Sequence, residues 1–249
     1  MLRFLANLAI MAGEIGAVAA VAWAGYRYPF AFAALTALLT LALGVRLELA
    51  RLMNELPFYF GESGVRRRAV IGLVAIGEAV MKALLAGLAA LLTFAGTDRP
   101  RLLLIAVLFG LVTYAGANVL RVLAYRLDAR PARWGYFRLA APLGLLFSIG
   151  IGLLGEAGMI QAPVLGELGA RMLLEMPARP SIAQASELLF AIKQYFDQVI
   201  TTLLGAVLGP ATARLVALLL SVNVLAGFVA ALYTVLIAEA VRRCEQAWL

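Results

Sequence analysis

The 249-residue chain is 64% hydrophobic and 14% charged, with a net charge of +7 and a mean hydropathy of +0.95. Soluble domains run about 45–50% apolar and about 25% charged, so an ordinary soluble enzyme, a disordered chain and a disulfide-rich secreted module are excluded. The absence of histidine and the single cysteine, Cys244, exclude histidine catalysis, histidine-held haem or metal, an internal disulfide and a thiolate cluster.

The pattern predicts an all-α fold, a polytopic bundle of transmembrane helices forming one integral membrane domain. Crossing the hydrocarbon core takes about 20 apolar residues, and six stretches supply them. The first is Phe4–Tyr26, longer than the roughly 7–15-residue core of a cleavable signal peptide. The second is Phe30–Leu49, entered through Pro29. The third, Ala69–Ala95, is interrupted by Glu78 and Lys82. Leu102–Leu120 follows Pro100, and Leu139–Ile160 carries Glu156 near its end. The last, Leu215–Ala238, contains no charge.

Between the fifth and last spans, residues 161–214 are too long for a plain loop. Ser181 and Gln184 form a capping-box pattern at a helix start. From Ile182 to Leu203 apolar residues recur at helical spacing, and Gly209-Pro210 ends the run. This predicts an amphipathic or re-entrant helix at the outer face. As a full seventh span it would place Arg242 and Arg243 outside.

Basic residues alternate between the connections. Arg46, Arg51, Arg66, Arg67, Arg68, Arg121, Arg126, Arg130, Arg133 and Arg138 fall on the side of Arg3, Arg242 and Arg243. The other side holds Arg27, Arg99, Arg101, Arg171, Arg179, Lys193 and Arg214. By the positive-inside rule both termini are cytoplasmic, and the expected location is a bacterial inner membrane. The arginines follow topology rather than a basic stripe, so the partner is the lipid bilayer and not nucleic acid.

Gly13-Glu14 follows Arg3 much as Gly77-Glu78 follows Arg68. Three helical hairpins made of consecutive spans would fit, the first two related by an axis along the membrane normal, as transporters often are. Ala/Leu-rich hairpins also resemble one another without any relation.

Ionisable residues inside spans carry most of the functional signal. Glu14 and Glu78 lie about 15 Å from the cytoplasmic ends of their helices at 1.5 Å per residue. A charge at that depth costs at least about 2.5–3.5 kcal/mol on insertion scales. Lys82 follows Glu78 by one turn, in the favourable order. Glu14, Glu78, Lys82 and, nearer the outer face, Glu156 are therefore candidates for an ion or proton pathway, or for buried ion pairs that fix helix register. Arg46, Glu48, Arg51 and Arg121 are expected to snorkel to the interface.

Small residues recur every fourth position at Ala12, Gly16, Ala20 and Ala24, and at Ala75, Ala79, Ala83 and Gly87. Such faces let helices approach closely, within one chain or against a second copy or another membrane subunit. Phe58 and Tyr59, with Trp134 and Tyr136 in the matching connection, could dock a cytoplasmic partner or sit in the interfacial belt. Gly150-Ile151-Gly152-Leu153-Leu154-Gly155 spells a dinucleotide fingerprint, but without a strand before it the match is chance. No nucleophile has a base, and no cofactor or metal site is implied. The expected function is membrane transport through mid-membrane carboxylates. The alternative is a non-catalytic subunit of a larger envelope complex for secretion, conjugation or energy transduction.

Overall fold

The computed structural model describes residues 2–59, 65–94, 98–160 and 181–248. Every element among them is helical: α1 (Leu2–Arg27), α2 (Pro29–Tyr59), α3 (Val65–Phe94), α4 (Arg99–Leu127), α5 (Pro131–Glu156), α6 (Ile182–Leu208), α7 (Pro210–Leu220), a 3-10 turn (Val222–Leu225) and α8 (Ala226–Trp248). Six stretches are long and apolar enough to cross a membrane: Arg3–Arg27, Pro29–Glu55, Ala69–Phe94, Arg99–Leu127, Pro131–Glu156 and Val222–Trp248. This is a multi-pass membrane protein.

Several boundaries differ from the sequence reading. Helices α2 and α5 extend well past the apolar stretches, because charged residues at a helix end continue a helix that no longer needs lipid around it. The last span is not continuous over 215–238. It breaks at Ser221, and α7 precedes the break as a separate helix. The α6 start is as expected: Ser181 and Gln184 exchange both capping-box hydrogen bonds. Residues 161–180 of the expected insertion lie outside the described residues.

Helix α8 is the centre of the bundle. Two-thirds of its most apolar window is buried, against 17% for α1. From Ala226 to Ala238 it is apolar nearly all round, as a helix stretch with neighbours on most sides must be. Between membrane helices there is little hydrophobic drive, so close packing through small residues does the work. Gly227 of α8 meets the backbone of Ala140 and Gly144 of α5 so closely that a Cβ would not fit. Gly116 of α4 receives Thr234, and Gly135 of α5 receives Leu120 and Val235.

The first four spans do not pack as the two expected hairpins, whereas the fifth and last spans, α5 and α8, do lie against each other. Helix α2 lies chiefly along α3, and α1 lies along α4 and α8. Small residues again decide. The buried row Ala75, Ala79 and Ala83 faces α2, and a Cβ on Gly44 or Gly87 would stand 3.4 Å from Ala79 or 3.0 Å from Ala37. One predicted small face is therefore consumed inside the chain. The other is not: Ala12, Gly16 and Ala20 are exposed on the outer side of α1. The α1–α4 contact uses Gly110 against Ala22 instead.

Near the start of α2 and the end of α3, five rings close the bundle. Phe32 stacks on Tyr233 at 5.1 Å and meets Phe94 and Phe109 edge-on, and Phe109 meets Phe147. Thr36 Oγ1 and the Tyr233 hydroxyl lie 2.9 Å apart in this core. The charged residues of the spans gather toward the other side, where the chain termini lie.

Candidate functional site

The candidate pathway residues are distributed over three places. The first joins α1, α4 and α8. Arg121 donates to Glu14 Oε2 at 3.0 Å and to Glu245 Oε1 at 2.7 Å. Glu14 and Glu245 are both buried, and Glu14 Oε1 has no hydrogen-bond partner among the described residues. Arg121 does not simply snorkel. Its fork links one residue of the chain's first helix to one of its last.

The second place lies between α2 and α3. Glu48 is fully buried and pairs with Lys82. Lys82 also lies 3.7 Å from Glu78, the predicted one-turn pair. Arg51 holds Glu48 at 3.2 Å and Glu55 at 3.1 Å, and approaches Glu78 at 3.7 Å. The Lys82 ammonium sits 4.5 Å from the Phe137 ring centre, a cation–π contact that ties this cluster to α5. Lys82 is 12 residues from the end of α3 at Phe94, or about 18 Å along the axis. That depth is inside the membrane. Glu14 belongs to the first cluster, and Glu78 and Lys82 to the second, so the expected trio is split.

The third place is at the opposite end, around the break in the last span. A cleft of about 440 Å³ is lined by Ser148, Gly152, Glu156, Asp197, Thr201, Arg214, Ser221 and Asn223, among others. Glu156 pairs with Arg214 at 3.1 Å, both exposed. Asp197 of α6 accepts from the Ser221 hydroxyl and from the Val222 amide, each at 3.0 Å. It thus caps the helix restart from 25 residues away in sequence, supplying the acceptor that a free amide at a helix start requires. Ser148 donates to the Leu218 carbonyl at 3.0 Å, an acceptor at the end of α7. The break is held by side chains on two other elements, α5 and α6, and is not a fraying end.

No protein-family model, no curated protein and no solved structure matches this chain. What the clusters can do must come from their chemistry. They offer carboxylates, cations and hydroxyls, but among the described residues no group of three or more potential metal-ligating side chains.

The docking residues fare unevenly. Tyr136 is 1% exposed and part of the core, so it cannot present a surface to a partner. Residue 136 falls on the inward side of an α5 that begins earlier than the apolar pattern shows. Trp134 is exposed. Phe58 and Tyr59 end α2, and their side chains lie outside the described residues.

Sequence reasoning missed Glu245, Asp197 and Ser221, and misread Glu48 and Arg121 as snorkelling. Only one weak signal was available for them. Glu48 is three residues before Arg51, and a carboxylate and a guanidinium at that spacing already form a pair.

Proposed function

We propose that the chain is a membrane transport protein for a small cation or a proton, with Glu48, Glu78 and Lys82 on its route. The observation that carries this reading is the break at Ser221, between α7 and the last span. It opens on a polar cleft held by Asp197, Ser221 and Ser148. Discontinuous spanning helices recur in transporters, where the broken ends and their polar groups receive the cargo. Irregular backbone at membrane depth is tolerated where it lines a cavity or is buried in protein. Cation selectivity follows from charge: Glu48, Glu55 and Glu78 outnumber Arg51 and Lys82 in the α2–α3 cluster. A carboxylate excess in a low-dielectric region attracts positive charge.

In this reading the membrane is a bacterial inner membrane and the termini are cytoplasmic. Helix α6 lies on or dips into the outer face.

The test is flux in proteoliposomes of the full chain, with an entrapped pH dye and an imposed inside-negative potential. Proton or alkali-cation entry is expected in the native chain. It should be lost in Glu78→Gln while helical content and melting stay unchanged. Entry through Glu78→Gln at the native rate contradicts the assignment.

A second reading is favoured by one observation. The Ala12, Gly16 and Ala20 face of α1 is exposed, and nothing lies within 4 Å of where a Gly16 Cβ would be. Such a face suits a helix of another membrane subunit, as in a non-catalytic subunit of an envelope complex. Gentle extraction from native membranes and mass spectrometry of what stays bound separates the two. Stoichiometric foreign subunits favour the second reading, and the chain alone or with its own copies favours the first.

A further inference from the structure

The cluster joining α1, α4 and α8 has an unbalanced charge. Two carboxylates, Glu14 and Glu245, share one guanidinium, that of Arg121, at 3.0 and 2.7 Å. The Glu14 side chain is 2% exposed and that of Glu245 10%, so neither can rely on water for the missing positive charge. One oxygen, Glu14 Oε1, is buried without a hydrogen-bond partner. A deprotonated oxygen in that position can only accept, whereas a protonated carboxyl is neutral and can also donate.

Among the described residues, no other cation pairs with Glu14 or Glu245. The groups acting on Glu14 are Arg121 and Glu245. Tyr125 of α4 stands near Arg121 and Glu245 and, as a neutral phenol, adds no positive charge. Arg242, one turn before Glu245 on α8, is turned to Glu239 at 3.5 Å.

We infer that Glu14, Arg121 and Glu245 form a binding site for a single proton, held where the first and last helices of the chain meet. A hard metal cation is a poor alternative, because it takes about six or more oxygen ligands and two carboxylates already engaged by an arginine do not supply them. The bookkeeping is simple. With the proton on, one carboxylate is left for one guanidinium and the cluster is neutral. With it off, a net negative charge sits between helices that are otherwise held by small side chains, and α1, the least buried span, is the one free to move. The inference concerns one site and its ligand, and does not depend on whether the chain carries a solute.

The experiment is infrared titration of the full chain in lipid nanodiscs, following the carbonyl band of protonated carboxyl groups with pH. The expected result is one protonated carboxyl per chain near neutral pH that disappears on alkalinisation. The band should be absent in Glu14→Gln and in Glu245→Gln, and present in Glu78→Gln. Each single variant restores charge balance, so each should also fold and melt at least as well as the native chain at high pH. If only one of the two can be purified, that one decides. A band that persists in Glu14→Gln or Glu245→Gln overturns the proposal. So does a native chain with no protonated carboxyl at any pH where it is folded, or failure of both single variants to fold.

Discussion

The α1–α4–α8 cluster and the α2–α3 cluster use the same residue types in opposite settings. In the first, Glu14 and Glu245 are sealed and compete for Arg121. In the second, only Glu48 is sealed; Lys82 is partly covered, and the Glu78 and Arg51 side chains are 37% and 44% exposed. A buried ion pair must recover a desolvation cost of several kcal/mol per ion, whereas a half-exposed one pays and gains little. The first cluster therefore has few charge states and ties helices together. The second can change partners, since Arg51 and Lys82 each reach two of the same carboxylates, Glu48 and Glu78. A route for cations needs the second kind of setting.

The sharpest way to break this contrast is the double variant Glu14→Gln/Glu245→Gln. It leaves Arg121 inside the bundle without a counter-charge, which costs about 3–5 kcal/mol when a buried pair loses one side. Melting in detergent should drop steeply or the chain should fail to accumulate. Lys82→Met comes next. It strands Glu48 and removes the Phe137 contact, but Arg51 still reaches Glu48 at 3.2 Å. We expect a loss of about 2 kcal/mol, at the lower end of what leaving a charged group short of a partner costs. Glu245→Gln alone should change stability by less than about 1 kcal/mol near neutral pH, since it removes the surplus carboxylate rather than the needed one. The smallest effect is expected for Arg51→Ala, about 0.5 kcal/mol, because its Glu55 partner is half exposed and Glu48 keeps Lys82. If Arg51→Ala proved as damaging as the double variant, the two clusters would not differ in the way described.

Much of the fold was legible because membrane spans announce themselves by length and composition. Helices α1 and α3 coincide with their predicted stretches to within a few residues, and α4 runs seven residues past its predicted end. The capping box at Ser181 was legible too, because it is a local exchange between residues three apart. The break at Ser221 was not. Its partners, Asp197 of α6 and Ser148 of α5, are distant in sequence, and within the apolar run over 215–238 only Ser221 and Asn223 mark the place. Pairing of α2 with α3 was obscured because a row of alanines marks a close-packed face and not the neighbour that fills it.

The candidate site was legible in part. Glu14, Glu78 and Lys82 stood out as charges where lipid forbids them, and each has a partner. The Glu78–Lys82 pair was readable from spacing alone. Arg121 reaches Glu14 across 107 residues and Glu245 across 124, and no sequence spacing encodes those contacts. Glu245 lies three residues from the end of α8, where a carboxylate looks like ordinary surface.

Water access separates the two clusters most directly. In a Cys244→Ser background, a single cysteine would be placed at position 78 or at position 14, and intact membranes treated with a membrane-impermeant, positively charged thiol reagent. The account predicts that Glu78→Cys is modified and that Glu14→Cys is protected until the membrane is dissolved. An unreactive Glu78→Cys, or modification of both cysteines at the same rate, would contradict it.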